Sequence, residues 1–559
     1  MKTLLTTLHS RYVHASLALP CLMAYCGDCC GDIRIREYTT GEPKDLVLAQ
    51  IVECRADVVC FSVYLWNRIP TLELVACLKR INPQLKIVLG GPEVSFENDD
   101  FFDQHPVDAL ICGEGEIPLR QLLSAWAQGS IPYPVPGMRM PATRGDNGRS
   151  LLPQLDDIPS PFAAELVDLN RGLVYYESSR GCPYTCSFCM SALDEQVRSF
   201  SLERIKGDLN LLMKRRVAQI KFVDRTFNYD NSRSREIFQY ILQTNQASRF
   251  HFEIGAHLLD DKTLKLLETV PPGVFQFEIG VQSTLPETLR TVGRYASLER
   301  LAENVRRLKK NTSVHLHLDL IAGLPGEDYQ HFLHSIDWTC QLDAGHLQIE
   351  PVKLLPGSPL RAQAASLEMA YDPNPPYTIL RSKELAFSEL EKLRGIGRLV
   401  DLLLNSQRFH FLMPILITDY GRISLLLEDL DRFWRRRDLY RQSLSLRSLF
   451  MEMDGFLAEH FVDQRGMAYR ELLARDYAHQ ERVVERAAPV FFNVDLSAQE
   501  KAAVKERVKQ ELDALARRGK VQFFAAAFSH LPDHEGRIIL IFLYVSQLSG
   551  GALVKELLL

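Results

Sequence analysis

The sequence predicts an α/β chain in three parts: a doubly wound parallel sheet, a partial (β/α)6 barrel, and a mainly helical C-terminal domain with a small α/β cap. Three observations carry that prediction. Short β-rich runs alternate with helical patterns up to about residue 112, and again from 173 to 354, and this alternation builds parallel sheets. The two arrays are separated by a segment (131–169) holding Pro132, Pro134, Pro136, Pro141, Pro153, Pro159 and Pro161, whose fixed φ angles forbid regular helix. Beyond Pro373 the pattern changes to long amphipathic helices. A chain of 559 residues is too long for one core, so several domains are expected.

Composition narrows the class. The apolar fraction of 46% and charged fraction of 24% are those of an ordinary globular protein. A net charge of −5 advertises no nucleic-acid or membrane partner. Of the twelve cysteines, eight lie between Cys21 and Cys112, three sit in one central loop and Cys340 stands alone. That is no disulfide framework; it indicates a reducing compartment and one metal site. Met1-Lys2-Thr3-Leu4-Leu5 leads straight into a strand-like run without a signal-peptide pattern, and no apolar stretch is long enough to span a bilayer. The expectation is a cytoplasmic protein.

In the first array the strand candidates are 3–8, 33–38, 57–64, 86–90 and 108–112, with helical patterns at 16–26, 44–54 and 70–81. Doubly wound sheets bind ligands outside the carboxyl ends of their strands. His9-Ser10-Arg11-Tyr12 follows the first strand and Ser62-Val63-Tyr64 ends the third. Gly90-Gly91-Pro92-Glu93 closes the fourth, and Gly113-Glu114-Gly115-Glu116 opens the helix after the fifth. Paired glycines there let backbone approach a flat, bulky ligand, although plain turn chemistry produces the same residues. Cys26-Gly27-Asp28-Cys29-Cys30 has C-x2-C spacing with no second pair, and reads as a helix end running into a turn.

The second array has strand candidates at 173–178, 219–224, 250–255, 275–280, 314–321 and 346–354, an open version of the parallel barrel with its chemistry at the carboxyl ends. Directly after the first comes Ser179-Arg180-Gly181-Cys182-Pro183-Tyr184-Thr185-Cys186-Ser187-Phe188-Cys189-Met190. Three thiolates in one tight loop can converge on an iron–sulfur cube, and the lack of a nearby fourth leaves one iron open. Buried thiols packed as small hydrophobes, or a zinc knuckle, are the alternatives. Later strand ends carry Asp224-Arg225-Thr226-Phe227-Asn228, Glu278-Ile279-Gly280-Val281-Gln282-Ser283, Gly323-Leu324-Pro325-Gly326-Glu327 and Lys353-Leu354-Leu355-Pro356-Gly357.

The C-x3-C-x2-C loop, with these motifs in order over 170–375, resembles the radical S-adenosylmethionine (SAM) superfamily. The resemblance implies a 4Fe-4S cluster on Cys182, Cys186 and Cys189, whose open iron chelates SAM. It further implies SAM contacts from Phe188, Asp224, Asn228, Glu278, Gln282, Ser283, Gly323 and Leu324, with Asp224 to Asn228 near the amino group and Glu278 at the ribose. Residues 1–130 resemble the Rossmann-like cobalamin-binding domain that precedes many radical SAM domains. Its implied contacts are Ser10, Arg11, Tyr12, Ser62, Val63, Tyr64, Gly90, Gly91, Pro92, Glu93, Gly113, Glu114, Gly115 and Glu116. The chain departs from one pattern of that class: it has no D-x-H-x-x-G, and Asp103-Gln104-His105 lacks both the glycine and the position. The resemblance therefore implies cobalamin bound without a histidine ligand, the 62–66 loop facing its lower side.

Residues 376–559 show helical patterns at 380–393, 397–409, 414–434, 439–460 and 469–486, then a cap of 490–495, a helix at 498–518, and strands at 521–528 and 537–544. This region resembles uncharacterised C-terminal extensions of cobalamin-dependent radical SAM proteins. Arg432-Phe433-Trp434-Arg435-Arg436-Arg437 with Tyr440 and Arg441 mixes basic and aromatic residues, as a phosphate-contacting surface would. A solvated helix face over core aromatics is the favoured reading.

The combined resemblance implies a cobalamin-dependent methyltransferase. SAM cleavage would give a 5′-deoxyadenosyl radical that removes hydrogen from an unactivated carbon, and methylcobalamin would supply the methyl group. It also implies an electron donor of flavodoxin or ferredoxin type, and a substrate that is a small molecule or a modified tRNA nucleoside. Cyclisation, rearrangement or methylthiolation with the same cofactors is the nearest alternative. A non-catalytic cobalamin and redox sensor is the alternative of another class, and the open iron and SAM motifs argue against it.

Overall fold

The computed structural model describes residues 1–12, 14–141, 148–194, 196–515, 521–546 and 552–559. Part of the proline-rich segment (142–147) and the end of the expected 498–518 helix (516–518) lie outside the described residues. Contacts group the chain into two compact units, one of 1–345 with 349–390 and one of 346–348 with 391–559.

In the first unit, one sheet holds β1 (Lys2–His9), β2 (Asp32–Thr39), β3 (Val58–Ser62), β4 (Lys86–Gly90), β5 (Ala109–Ile111) and the short β6 (Met138–Arg139), in spatial order β2-β1-β3-β4-β5-β6. The first five run parallel and β6 pairs antiparallel with β5. Near-continuous burial of β1 and β3 is what a sheet covered on both faces requires, and two apolar clusters fill those faces, one around Phe61 and Leu74, the other around Leu5 and Leu122. The strand order reverses between β1 and β3, which opens a crevice at their carboxyl ends.

The second sheet contains β7 (Leu173–Tyr176), β10 (Gln219–Phe222), β11 (Arg249–Glu253), β12 (Phe275–Gln282), β13 (His315–Ala322) and β14 (Gly345–Pro351), in sequence order across the sheet. Between β7 and β10 lies a two-stranded ribbon, β8 (Ser179–Arg180) with β9 (Arg198–Ser199). The period of two along these strands separates two kinds of side chain. Phe222, Phe250, Phe252, Phe275 and Phe277 pack outward with Phe227 and with Phe238 of helix Asn231–Thr244, ring centroids 4.6–6.3 Å apart. Lys221, His251, Glu253, Glu278 and Asp319 alternate with them and stand on the inner side. Side-chain caps set the starts of the covering helices: Ser201 accepts from Arg204 N, Asp230 from Ser232 and Arg233 N, Ser297 from Arg300 N.

The break in contacts comes later than the 375/376 change in sequence pattern, because 376–390 stay with the first unit. The hairpin of β15 (Ala370–Tyr371) with β16 (Ile379–Arg381) is tied to the barrel by Ile379 N donating to Val352 O, and to the first sheet by Tyr377 Oη donating to Glu93 Oε2 at 2.8 Å.

In the second unit the pattern read as one helix over 414–434 is two, Leu412–Tyr420 and Ile423–Arg436, broken at Gly421 with φ 72°. Helices Leu446–His460 and Gln464–Gln480 follow, the latter starting and ending earlier than its sequence pattern. The cap is a three-stranded antiparallel sheet of β17 (Val521–Phe528), β18 (Ile538–Ser546) and β19 (Ala552–Leu558), β19 being absent from the sequence reading. Residues 490–495 form no strand, only an isolated bridge from Asn493 to Ala527. Phe433 and Trp434 are fully buried, whereas Arg435, Arg436, Arg437, Arg432 and Arg441 each pair with a carboxylate (Asp431, Glu459, Glu452, Asp429 and Asp438). The basic and aromatic run is thus a helix face over core aromatics.

Candidate active site

The cysteine loop is held from all sides. Ribbon β8–β9 closes its base, and Cys182 N donates to Asp194 O at 3.0 Å. Gly181 has φ 91°, and a Cβ there would lie 2.5 Å from Gln196 O, so only glycine fits the crossing. Ser187 N donates to Val292 O, and Ser187 O accepts from Leu360 N, each at 2.8 Å. Cys182 and Cys186 are buried, Cys189 is half-buried, and none is in a disulfide. Each thiol has a polar neighbour suited to a thiolate: Thr226 Oγ1 at 3.5 Å from Cys182 Sγ, Arg294 Nη1 at 3.9 Å from Cys186 Sγ, and Ser191 N at 3.4 Å from Cys189 Sγ. Burial pushes the Cys186 thiol up, and Arg294 opposes that. Among the described residues no three His, Cys, Asp or Glu side chains are grouped around one metal ion. A four-iron cube, whose thiolates bond different irons, does not require such a group.

The mouth of the barrel collects charge from successive strands. Register places Glu253 beside Glu278 and Gly280 beside Asp319. Glu278 lies 3.0 Å from His251 Nε2 and 3.6 Å from Lys221 Nζ; the His251 ring, ahead of Lys221, leads in holding its carboxyl down at about 2. Burial, with Glu278 nearby, pushes Glu253 up to about 7 and Asp319 up to about 8. Asp319 Oδ1 and Gln282 Oε1 are buried without a hydrogen-bond partner, and Gln282 holds φ 72°. Orphaned polar atoms and a strained backbone at one place suit a bound polar ligand. Arg294 donates to Gly280 O and reaches Cys186, joining this group to the cysteine loop.

A pH dependence follows. Between the ordinary carboxyl range and pH 7–8, the folded protein keeps protons on Glu253 and Asp319 that the unfolded chain has released. Apoprotein stability should therefore fall as pH rises through that window. Thermal unfolding from pH 5 to 9 checks this, and Asp319→Asn should flatten the upper part of the slope.

Over the first sheet lies a cavity of about 530 Å³ at the carboxyl ends of β1, β3, β4 and β5. Ser10, Ser62, Tyr64, Gly90, Gly91 and Gly113 to Glu116 line it, as do Tyr175, Glu177, Arg180 and Val223 from the barrel side. Gly91 has φ 104°, with a Cβ position 2.5 Å from Val63 O; Gly113 has φ 86°, with its Cβ position 2.7 Å from Ser150 O. Tyr64 and Trp66 stack with centroids 4.7 Å apart, and Trp66 Nε1 donates to Leu8 O at 2.9 Å. Replacing Gly91 with Ala should force the Val63 backbone out of place and weaken cobalamin retention roughly tenfold, a loss of ~1.4 kcal/mol. Absorbance of cobalamin retained after gel filtration reads it.

The structure divides the residues singled out in the sequence. Glu93 is buried against Tyr377 and Arg68, Val63 is fully buried under Gly91, and Tyr12 is exposed beneath Arg171; these three, with Arg11 and Pro92, stand outside the cavity lining. Asp224 accepts from Ser178 N, Ser178 Oγ and Ser179 Oγ at 2.5–3.0 Å, which pins the strand end below the cysteine loop. Asn228 exchanges two hydrogen bonds with the backbone of Gly255. Ser283 donates to Glu327, and Leu324 is fully buried. Gly323 turns the chain with φ 89°, and Phe188 is half-buried in the loop itself.

Sequence reasoning missed Glu253, Asp319 and Arg294. Alternation of charged with aromatic residues along β11 and β12 was the available signal for Glu253; no local signal marks Arg294. It also missed Leu17 in the cavity wall, and left His9, His14 and Trp66 out of the implied contacts although His9 opens the first loop and the 62–66 loop was placed there.

A three-cysteine loop at a barrel mouth, beside a glycine-rimmed cavity over a doubly wound sheet, defines a protein built for an iron–sulfur cluster next to a large flat cofactor. Family models agree: the B12 binding domain matches 4–123, the Radical SAM superfamily 176–339, and the protein of unknown function DUF4080 366–522. The chain thus carries a B12-binding domain, a radical SAM superfamily domain and a DUF4080 region, and these domains name its cofactors as cobalamin, SAM and a 4Fe-4S cluster. Similar sequences include the cobalamin-dependent radical SAM methyltransferase TokK of Streptomyces tokunonensis, 29% identical over 54% of this chain and 48% of that protein. The uncharacterized methyltransferase PH0819 of Pyrococcus horikoshii is 26% identical over 50% and 63%. The chain spans about half the length of the first of these relatives. Among solved structures, the cobalamin-dependent radical enzyme OxsB with aqua-cobalamin shares the fold at TM-score 0.60 and 14% identity, over 91% of this chain and 84% of that one. The radical SAM methyltransferase TsrM of Kitasatospora setae shares it at 0.55 and 18%, over 65% and 76%.

Proposed function

We propose that this protein is a cobalamin-dependent radical SAM methyltransferase acting on an unactivated carbon. One observation carries the reading: the cavity over the first sheet is walled on its far side by Tyr175, Glu177 and Arg180, the strand and ribbon that lead into the cysteine loop. Both cofactor sites therefore share a wall, as methyl transfer to a carbon activated at the cluster requires. Sequence relatives named as methyltransferases support the same reaction class.

Cys182, Cys186 and Cys189 would hold the cluster. Glu278, Gln282, Asp319 and Arg294, with Phe188 and the Gly323 turn, would orient SAM, while Asp224, Asn228 and Ser283 brace the strand ends. Ser10, Ser62, Tyr64, the two glycine motifs and the Trp66 ring would hold the corrin. When bound, the cofactors supply hydrogen abstraction and the methyl group; the side chains bind, orient and exclude water. A small molecule or modified tRNA nucleoside is the proposed substrate, and a flavodoxin- or ferredoxin-type protein the electron donor.

The test is anaerobic reconstitution with reductant and SAM, followed by mass comparison of small molecules and tRNA nucleosides from cells with and without the gene. A product heavier by one CH2 unit, together with 5′-deoxyadenosine, supports methylation. A product of rearranged but unchanged mass refutes it, and failure to form 5′-deoxyadenosine refutes the radical reading altogether.

A further inference from the structure

The first domain carries a group of thiols that neither cofactor site uses. Helix Ala18–Cys26 ends at Cys26 and runs into the tight turn Gly27–Cys30, bounded by Gly27 (φ 58°) and Gly31 (φ 85°). Cys26 and Cys30 are buried and Cys29 is exposed. Cys29 Sγ stands 3.7 Å from Cys30 Sγ. Both thiols turn to the carbonyl of Cys26, at 3.1 and 3.6 Å, and Cys30 Sγ also lies 3.5 Å from Arg120 O on the facing helix. The Arg120 guanidinium lies near enough to the Cys29 sulfur for that sulfur to be the largest cause of its raised pKa.

These thiols differ from their neighbours. At Cys30 the neighbouring Cys26 thiol, and after it the Cys29 thiol, pulls the pKa down against burial, whereas Cys26 is pushed up by Cys30 and by burial. Cys21 and Cys60 are buried with burial pushing their thiols well up, the state of an inert core cysteine. An exposed thiol beside a guanidinium, in contact with a second thiol that favours ionisation, is instead an exchange-competent pair.

We propose that Cys29 and Cys30 form a redox-active dithiol that reacts with low-molecular-weight disulfides and closes reversibly to a vicinal bridge. Cys29, having lost its proton, attacks one sulfur of RS–SR; a Cys29–SR bond forms, the RS–SR bond breaks, and the departing RS⁻ takes up a proton. The Cys30 thiolate then attacks Cys29 Sγ, forming the Cys29–Cys30 bond and expelling the second RS⁻, which is protonated in turn. Two protein thiols are oxidised, and one small disulfide is reduced to two thiols. Neighbouring Cα atoms are only about 3.8 Å apart, closer than disulfides prefer, so the bridge is strained and returns readily to thiols.

The experiment treats anaerobically reconstituted holoprotein with oxidised glutathione, traps free thiols by alkylation and maps peptides by mass. The expected result is loss of two hydrogens from the peptide holding Cys29 and Cys30, reversed by excess reduced glutathione. Cys30→Ser should stop at a stable glutathione adduct on Cys29, and Cys29→Ser should give neither product. A bridge to Cys26, a persistent adduct on wild-type Cys29, or no reaction at this turn overturns the proposal. The wild-type arm decides by itself if the buried Cys30→Ser variant does not fold.

Discussion

Cys186→Ala should abolish SAM cleavage while leaving cobalamin binding intact. Cys186 is buried in a loop fixed by Ser187, Leu360 and Val292, and its sulfur faces Arg294. Removing one of three thiolates leaves the cube with too few protein ligands, and no other cysteine stands in the loop to replace it. The cavity proposed for cobalamin takes none of its lining from 182–189, so its occupancy should not change. The measurement pairs iron and sulfide content and 5′-deoxyadenosine yield with cobalamin absorbance in one preparation. Cleavage above background in the variant would falsify the cluster assignment, and simultaneous loss of cobalamin would show that the variant had disturbed the fold instead.

Arg180→Gln should produce the largest loss of stability of any single substitution at the junction of the two cofactor sites. Its guanidinium contacts Glu177 at 2.9 Å, Glu116 at 2.8 Å and Glu114 at 3.5 Å, all little exposed. Burial alone would lower its pKa, and these carboxylates outweigh that and raise it. Glu114 is also held by Arg198, whereas Glu116 and Glu177 depend on Arg180 among the described ion pairs. Taking the cation away leaves buried negative charge, a change of ~3–5 kcal/mol. Arg180→Lys should recover only part of it, because one ammonium cannot match a fork that meets three carboxylates. Urea midpoints of the apoprotein at pH 7 decide this. At lower pH, where the stranded carboxylates can protonate, the difference should shrink. Equal midpoints for wild type and Arg180→Gln would mean that solvent already screens the cluster.

The same arginine explains why the two modules share one compact unit. It sits two residues before Cys182 and binds both carboxylates of Gly113-Glu114-Gly115-Glu116, the motif that rims the cavity. Glu114 in turn accepts from Leu152 N and Arg198, so one motif both lines the cavity and anchors neighbouring segments through its carboxylates. Nothing in the local pattern separates those two jobs.

The cysteine loop was legible because its three ligands are contiguous in the chain and their spacing is itself the chemistry. The strand ends were legible for a related reason: apolar alternation locates a parallel strand, and glycine runs mark where it stops. Side-chain duties at those ends were not. Asp224, Asn228 and Ser283 stand where a ligand would be expected, yet their polar atoms bond Ser178 and Ser179, Gly255, and Glu327. A polar residue at a strand end looks the same in sequence whether it faces a ligand or satisfies the backbone beside it.

By itself, then, the chain determines a doubly wound sheet, an open barrel, a thiolate loop and the cofactors those parts take, because each rests on residues close together in sequence. Only the tertiary structure decided which side chains share a site. Glu253, Glu278 and Asp319 come from three strands and become neighbours through register alone. Likewise, Arg294 reaches Cys186 because the Val292 backbone carries the cysteine loop. Register and loop packing are set by burial across the whole sheet, a sum over distant contacts that no local pattern contains.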